Sequence, residues 1–181
     1  MSRVIIFSRY FPSYHPRKGD PTFFIEKIWK ELKTGNHRDG EYSVWTKYPR
    51  LMKDGHWQLP HLWRDQMCDE KFSPKYHTIR AGNRWKVGDK FSPRAWSGLP
   101  YRSKQIQFAP VIEIKKIFKF EMDLNGVYSI DGKYLDQDKY EILARNDGLT
   151  EEDMFYWFMP NYDKPKEFTG QILCWNESIL Y

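Results

Sequence analysis

The sequence predicts an α+β fold in which a small mixed β-barrel is flanked by helices. Several short alternating runs, separated by Gly, Pro and Asp, lie between residues 75 and 120 and are typical of strands in a small barrel. Helical periodicity precedes this stretch at 21–33 and follows it at 136–158. The length of 181 residues suits a single domain, 1–181, with an irregular insertion at about 36–74.

The N-terminal part predicts a buried strand, a basic loop and a helix. The strand is the β-branched and aromatic run at 4–7. The proline-rich loop that follows carries His15, Arg17 and Lys18, which form either an arm that contacts phosphate or a solvated surface. Asp20-Pro21 suits a helix start, because Asp can cap it and Pro fits its first position. The apolar stripe of this helix indicates core packing: Phe24, Ile25, Ile28, Trp29 and Leu32.

The insertion is expected to form a rim or lid over the cleft of the barrel, with a possible strand at 42–46. It contains His56, His61 and Cys68, but their spacing fits no tight metal site, so neither a metal nor a cofactor is expected. Cys68 and Cys174 form no CxxC pair, which indicates free thiols in a reducing compartment. No long apolar run marks a signal peptide or a membrane span, so the protein is expected in the cytoplasm.

Residues 75–120 carry the strands and polar groups around which the fold is organised. The run at 75–80 predicts a strand, and Lys75 can share a cleft with Thr78 only if it lies at the bend after Pro74. Further strands are predicted at 90–92, 103–108 and 111–120, with a loop at 93–100. Glu113 lies inside the last of these, either as the partner of a buried cation or exposed on an edge strand.

The C-terminal part predicts a hairpin, two helices and a last strand. Asp131-Gly132 is the expected turn of the hairpin at 127–135. Asp136 can cap a helix that ends at Asn146, and Thr150 can cap a second helix through a capping box with Asp153. The last strand is expected at 168–175.

Several short motifs, taken in order, resemble the ASCH family, a branch of the PUA-like fold. They are Lys75-x-x-Thr78-Ile79-Arg80, the turn Gly88-Asp89, and the strand Ile112-Glu113-Ile114. The helix opening Thr22-Phe23-Phe24 and the run Asp147-Gly148-Leu149-Thr150 are also similar. The resemblance covers residues 20–33 and 75–175. The amino-acid sequence of residues 77–94 resembles that of ASCH proteins from phages and their bacterial hosts. It implies a PUA-like mixed barrel with flanking helices.

One bacterial branch of this family hydrolyses N4-acetylcytidine with the lysine, threonine and glutamate of these motifs. The resemblance therefore implies Lys75 as base, Thr78 as nucleophile and Glu113 as proton donor to the leaving amine. The chain departs from that branch in having Ser73-Pro74 where the branch has Gly-Arg, and in having the insertion. The alternative is an ion pair between Lys75 and Glu113, with Thr78 serving as a good strand former.

Three functions stay open at this point. A module that binds RNA or a nucleotide would use the net charge of +5 and the 18% aromatic content, because rings stack on bases and cations hold phosphates. An amidohydrolase would act on acetylated cytidine or a related modified nucleoside. A phage regulatory protein would use the insertion to bind a partner.

The net charge alone does not decide between these three functions, since many basic proteins bind no nucleic acid. The candidate nucleic-acid contacts are Arg17, Lys18, Arg80, Arg84, Trp85, Arg94, Trp96 and Lys104. The expected partner is RNA or a modified nucleoside, with no membrane association, and the chain is expected to be a monomer.

Overall fold

The computed structural model describes residues 3–34, 50–51, 57–58, 73–159 and 166–181. This part of the chain contains three helices, two larger sheets and one two-stranded sheet, so the predicted α+β class is confirmed. Within these ranges no helix is long and apolar enough to cross a bilayer. The possible strand at 42–46 and the residues His56, His61 and Cys68 lie outside the described residues.

The described residues up to Glu113 carry one helix and seven strands. In chain order they are β1 (Arg3–Ile6), α1 (Phe24–Thr34), β2 (Arg50–Leu51), β3 (Trp57–Gln58), β4 (His77–Ala81), β5 (Lys90–Trp96), β6 (Gln105–Gln107) and β7 (Ile112–Glu113). The remaining elements are β8 (Lys116–Met122), β9 (Tyr128–Ile130), β10 (Lys133–Tyr134), α2 (Gln137–Asn146), α3 (Glu151–Phe158) and β11 (Phe168–Cys174). β2 and β3 form the two-stranded sheet.

The first sheet is built around β5. β1 runs parallel to it, and β6 and β7 pair antiparallel with its two ends. The strand continues through the loop predicted at 93–100 and ends only at Trp96, so that prediction was wrong over 93–96. Pro93 is in register with Ile5 of β1, but its carbonyl accepts the N–H of Phe108 on the other side of β5. Its nitrogen therefore faces the gap between the segments that pair with β7 and with β6, where no ladder hydrogen bond needs an N–H.

The second sheet has the order β10-β9-β8-β11-β4, with every neighbouring pair antiparallel. The two sheets are joined where the chain leaves β7 and enters β8: Ile114 donates its N–H to Asp89, and Lys115 donates its N–H to Cys174. The described residues therefore form two connected sheets that do not close into a barrel.

Helix α1 packs its apolar stripe into the core as predicted. Ile28 and Trp29 are almost fully buried, and the indole N–H of Trp29 donates to the carbonyl of Phe108. The helix begins at Phe24, however, and not at Pro21. Thr22, and not Asp20, binds the start of this helix: its Oγ1 accepts the N–H of Phe24 while its hydroxyl donates to the carbonyl of Ser8.

The predicted C-terminal elements are confirmed by their local hydrogen bonds. Asp136 Oδ1 accepts the N–H of Lys139 at the start of α2, and Thr150 Oγ1 accepts the N–H of Asp153 at the start of α3. The hairpin between β9 and β10 turns through residues 131 and 132, which both have positive φ. These helices bring the C-terminal end of α2 beside the start of β4.

Candidate functional site

Lys75 lies just before β4 and is buried between α1 and the end of α2. Its backbone N–H donates to the carbonyl of Lys27, so the residue is anchored to α1. The side chain is 1% exposed, and Nζ donates to Asp147 Oδ1 at 2.6 Å and to the backbone oxygen of Asp147. Nζ also lies 4.4 Å from the centre of the Phe24 ring. A buried lysine thus has one buried carboxylate and one aromatic face as its nearest partners.

The charges of this cluster are strongly coupled. Burial lowers the pKa of Lys75 to about 8, although Asp147 acts in the opposite direction. Burial alone raises the pKa of Asp147, but the charge of Lys75 and the adjacent His77 side chain outweigh it and hold that pKa below its usual value. His77 is also fully buried, with Nδ1 3.4 Å from Asp147 Oδ1, and burial lowers its pKa. At neutral pH the pair is therefore a charged lysine and a charged aspartate beside a neutral imidazole.

Thr78 and Arg80 follow on β4. Thr78 is 4% exposed and lies opposite Leu173 of β11. Arg80 donates from Nη2 to the carbonyl of Ile6 at 3.0 Å, and its guanidinium lies 5.2 Å from the centre of the Phe7 ring. Burial lowers the pKa of Arg80 to about 10. Arg80, predicted to contact a ligand, is thus used to tie β4 to β1.

Glu113 lies apart from this cluster, on β7 at the surface. Its Oε1 accepts from Lys115 Nζ at 2.9 Å, and its Oε2 lies 3.6 Å from Lys90 Nζ. Its pKa is lowered, chiefly by the hydrogen bond from Lys115. Of the two alternatives that the sequence left for Glu113, the structure shows the exposed one. The carboxylate that contacts Lys75 is Asp147.

Asp147 is the central residue that the sequence reasoning passed over. A signal was available, because an aspartate at the C-terminal end of a helix faces the negative end of the helix dipole and is unfavourable without a cation. Asp147 follows the last residue of α2, and Lys75 supplies that cation from 72 residues earlier. The neighbouring Lys27 donates to the carbonyl of Gly148 and further closes the cluster.

A second group of predicted residues lies along β5 of the first sheet, where Arg94 and Trp96 are half-buried. Arg94 and Trp96 alternate along β5 on the same side as Ser92, and Arg94 Nε donates to Ser92 Oγ at 3.2 Å. The ring of Tyr101, which is 90% exposed, lies 5.4 Å from the ring of Trp96. We name Arg94, Trp96 and Tyr101 the aromatic platform. Gln107 and Gln105 lie opposite Arg94 and Trp96 on β6.

Two further cations border the aromatic platform. Arg9 donates from Nη1 to the carbonyls of Trp96 and Ser97, at 3.5 and 3.3 Å. The exposed Lys104 is held beside the same loop, because its carbonyl accepts the N–H of Ser97. The sheet and its loop thus combine the exposed ring of Tyr101 and the half-buried ring of Trp96 with positive charge.

The remaining candidates are spread over other parts of the surface and the core. Trp85 was expected to stack on a base but is 4% exposed, with its ring edge-to-face against Phe91. That expectation was wrong, because two hydrogen bonds between its backbone and the Gln171 side chain lock the residue in the core. Arg84 and Lys18 are exposed. Arg17 is half-exposed and bound to Asp153 at 2.7 Å, which fixes the basic loop to α3.

Among residues 3–34, 73–159 and 166–181, and the short strands β2 and β3, no group of three metal-ligating side chains occurs. Burial raises the pKa of the Cys174 thiol to about 12, so it is inert at neutral pH. Comparisons with family models, curated proteins and solved structures found no match to this chain. The resemblance to the ASCH family accordingly stays a prediction.

Proposed function

We propose that the protein binds single-stranded RNA on the aromatic platform. The observation that carries this proposal is the pair of Trp96 and Tyr101, whose rings lie 5.4 Å apart at the surface. Exposed rings are stacking partners for unpaired bases, and this contact is tolerant of sequence. Arg94 lies on the same strand face as Trp96, where its guanidinium can hold a phosphate or stack on a base.

The conformation of Tyr101 supports a binding role. Its φ is +62°, in the left-handed region, where a residue with a side chain pays about 1 to 2 kcal/mol. The loop that holds it is closed by Ser103, whose Oγ accepts the N–H of Gly98 and donates to the carbonyl of Leu99, both at 2.9 Å. An exposed aromatic ring held in a strained backbone favours recognition over packing, since packing gains little from a 90% exposed side chain.

The family and finer fold belong to the same proposal. We infer that the chain is an ASCH-type, PUA-like protein, and the motif order from Lys75 to Thr150 supports this reading. The segment 112–122, which passes from β7 in one sheet to β8 in the other, is also compatible with a strongly bent, barrel-like arrangement. A monomer in the cytoplasm with RNA or a modified nucleoside as its partner completes the proposal.

Fluorescence anisotropy with labelled single-stranded RNA of about 12 nucleotides tests the binding surface. Trp96→Ala and Tyr101→Ala should each weaken binding by about five- to a hundredfold, the range for loss of one base-stacking ring. Tyr134→Ala is the matched control, because Tyr134 is an exposed tyrosine, 72% accessible, on β10 of the other sheet. Lys104→Gln should reduce the slope of log affinity against log salt by about one.

The proposal fails if the three ring variants bind RNA equally well, or if the wild-type protein prefers a duplex of the same length. A preference for DNA over RNA of identical sequence would contradict the RNA assignment while leaving the platform as a single-strand site. In that case the affinity for DNA, which lacks the 2′-hydroxyl, would be no lower than the affinity for RNA, and the Trp96→Ala and Tyr101→Ala variants would still weaken it.

A second candidate function is the hydrolysis of an acetylated cytidine. It is supported by the lowered pKa of Lys75, about 8, because roughly one tenth of such an amine is neutral at pH 7. Thr78 would attack the acetyl carbonyl, the C–N bond would break with a proton passing to the cytidine amine, and water would then release acetate. The geometry favours Asp147, rather than Glu113, as the carboxylate of such a site.

Incubation with N4-acetylcytidine and chromatography of the products test this candidate. Thr78→Ala should abolish cytidine release, Glu113→Gln should retain it, and the rate should rise as the pH approaches 8. Turnover that survives Thr78→Ala rules out the nucleophile. The third possibility, a phage regulatory role for the insertion, rests on residues outside the described ranges and stays a prediction.

A further inference from the structure

A cavity of about 480 Å³ opens on the side of the molecule formed by the β9–β10 hairpin and the starts of α2 and α3. Its size falls in the range of small-molecule sites, which is about 300 to 1,000 Å³. Neither the aromatic platform nor the buried cluster of Lys75, His77 and Asp147 contributes to its walls. We name it the acidic pocket, after the carboxylates at its mouth.

Aromatic rings form the walls of the acidic pocket. Tyr128 and Tyr140 are stacked, with ring centres 4.8 Å apart and planes 15° from parallel. Phe155 and Tyr156 of α3 meet edge to face at 5.4 Å on another side. The face of such a ring carries a negative electrostatic potential and attracts a cation. A pocket with four ring walls is therefore suited to a positively charged group on an apolar stem.

Three carboxylates stand around the mouth: Asp136, Glu151 and Glu152. The starts of α2 and α3 each add about half a positive charge, which accounts for part of this acidity. Lys139 Nζ lies 4.0 Å from Asp136 Oδ2 and offsets one further charge. The sum of these charges is still negative, on a chain whose net charge is +5. A cation would thus be favoured here over an anion.

The Tyr128 hydroxyl adds a hydrogen-bond acceptor to the pocket. The residue is 5% exposed and lines the pocket, and its O–H donates toward the Tyr140 hydroxyl, while its oxygen receives no hydrogen bond from the part of the chain that the structure describes. The Tyr140 hydroxyl is already used, because it donates to the carbonyl of Glu151 at 2.7 Å. A donor that entered the pocket would satisfy the Tyr128 oxygen.

We propose that the acidic pocket binds an alkylammonium group, with the aliphatic stem against the rings and the N–H donors toward the carboxylates and the Tyr128 hydroxyl. A protonated amine matches all three parts of the site, because it combines an apolar stem, a charge and several donors. The amine can belong to a free polyamine or to a lysine side chain. This site is separate from the aromatic platform and does not depend on RNA binding.

NMR titration of the full chain tests the proposal, with the ring signals of Tyr140 and Tyr156 as the readout. n-Butylammonium should cause saturable shifts of these signals, whereas n-butanol, of similar shape without charge, and butyrate, of opposite charge, should bind several-fold more weakly. Glu152→Gln should weaken n-butylammonium by about two- to fivefold, the contribution of one partly exposed ion pair. Asp138→Asn is the matched control, because it removes one charge from the start of α2 outside the pocket.

Tyr156→Leu separates ring attraction from simple apolar contact. It should weaken n-butylammonium while leaving n-butanol unchanged, since only the cation uses the charge distribution of the ring. Spermidine and Nα-acetyl-lysine methylamide then distinguish the source of the amine. Tighter binding of spermidine indicates a free polyamine, and tighter binding of the lysine derivative indicates a protein lysine. Equal binding of n-butylammonium and n-butanol, equal losses in Glu152→Gln and Asp138→Asn, or no saturable ring shift with any amine would overturn the proposal.

Discussion

Replacing Asp147 with Asn should destabilise the protein by about 3 kcal/mol at neutral pH, because it leaves Lys75 charged and buried without a counter-charge. Removal of one partner from a buried pair costs about 3 to 5 kcal/mol. The lower end applies here, since the amide oxygen and the backbone oxygen of residue 147 still accept from Nζ. For a chain of this size the loss corresponds to a melting temperature lower by about 6 to 12 °C.

The pH dependence gives this prediction its sharpest form. Lys75 has a pKa of about 8 when folded and 10.5 as its ordinary value, so the unfolded chain binds more protons between those limits. Stability from this group is therefore lowest below pH 8 and rises with pH through that window. In Asp147→Asn the charge that raises the pKa of Lys75 is gone, so the rise should begin at lower pH. The variant should also lack the wild-type loss of stability as acid protonates Asp147.

Urea unfolding, followed by tryptophan fluorescence and far-UV circular dichroism from about pH 2 to about pH 10, measures the lysine and the aspartate effects. Glu113→Gln is the matched control, because it makes the same carboxylate-to-amide change beside surface lysines and should leave the urea midpoint unchanged. The double variant Lys75→Met/Asp147→Asn should be more stable than Asp147→Asn alone. The reasoning is refuted if Asp147→Asn loses no more than the control, or if its profile runs parallel to that of the wild type.

Three smaller predictions concern the scaffold. Gly170→Ala should disrupt the pairing of β11 with β4 and lower the yield of soluble protein, because a Cβ there would lie 2.4 Å from the carbonyl oxygen of Arg80; a wild-type urea midpoint would contradict this. Thr150→Ala should cost about 1 kcal/mol in urea unfolding by removing the cap of α3, and Thr150→Ser should restore it. Cys174 should resist iodoacetamide at about pH 8 until urea unfolds the chain, as read by peptide mass spectrometry, because burial raises its pKa to about 12.

Local signals in the sequence were sufficient for several elements. Asp136 and Thr150 cap their helices as predicted, because capping depends on neighbours within three residues. The turn at Asp131-Gly132 follows for the same reason, since both residues tolerate positive φ. The start of α1 was misplaced because Thr22, and not Asp20, binds the first helical N–H, and the contact with Ser8 that favours Thr22 comes from 14 residues earlier in the chain.

The polar site depended on contacts between distant residues and was predicted only in part. Lys75 is buried and ion-paired, but its partner is Asp147 and not Glu113. The alternation of side chains along a strand predicts which residues share a face. It does not predict which helix end packs on that face. Trp85 shows the same limit, because only its packing against Phe91 decides that the ring is core.

The place of β11 between β8 and β4 has a consequence for synthesis of the protein. This strand lies at residues 168–174 and leaves the ribosome after β4 and β8. Both of these strands therefore lack their β11 partner during most of synthesis. Until then two strand edges are exposed, and β4 has no connection to the second sheet through β11. Chains that terminate before residue 168 should therefore be captured by chaperones or degraded, which makes the synthesis of β11 a checkpoint for folding.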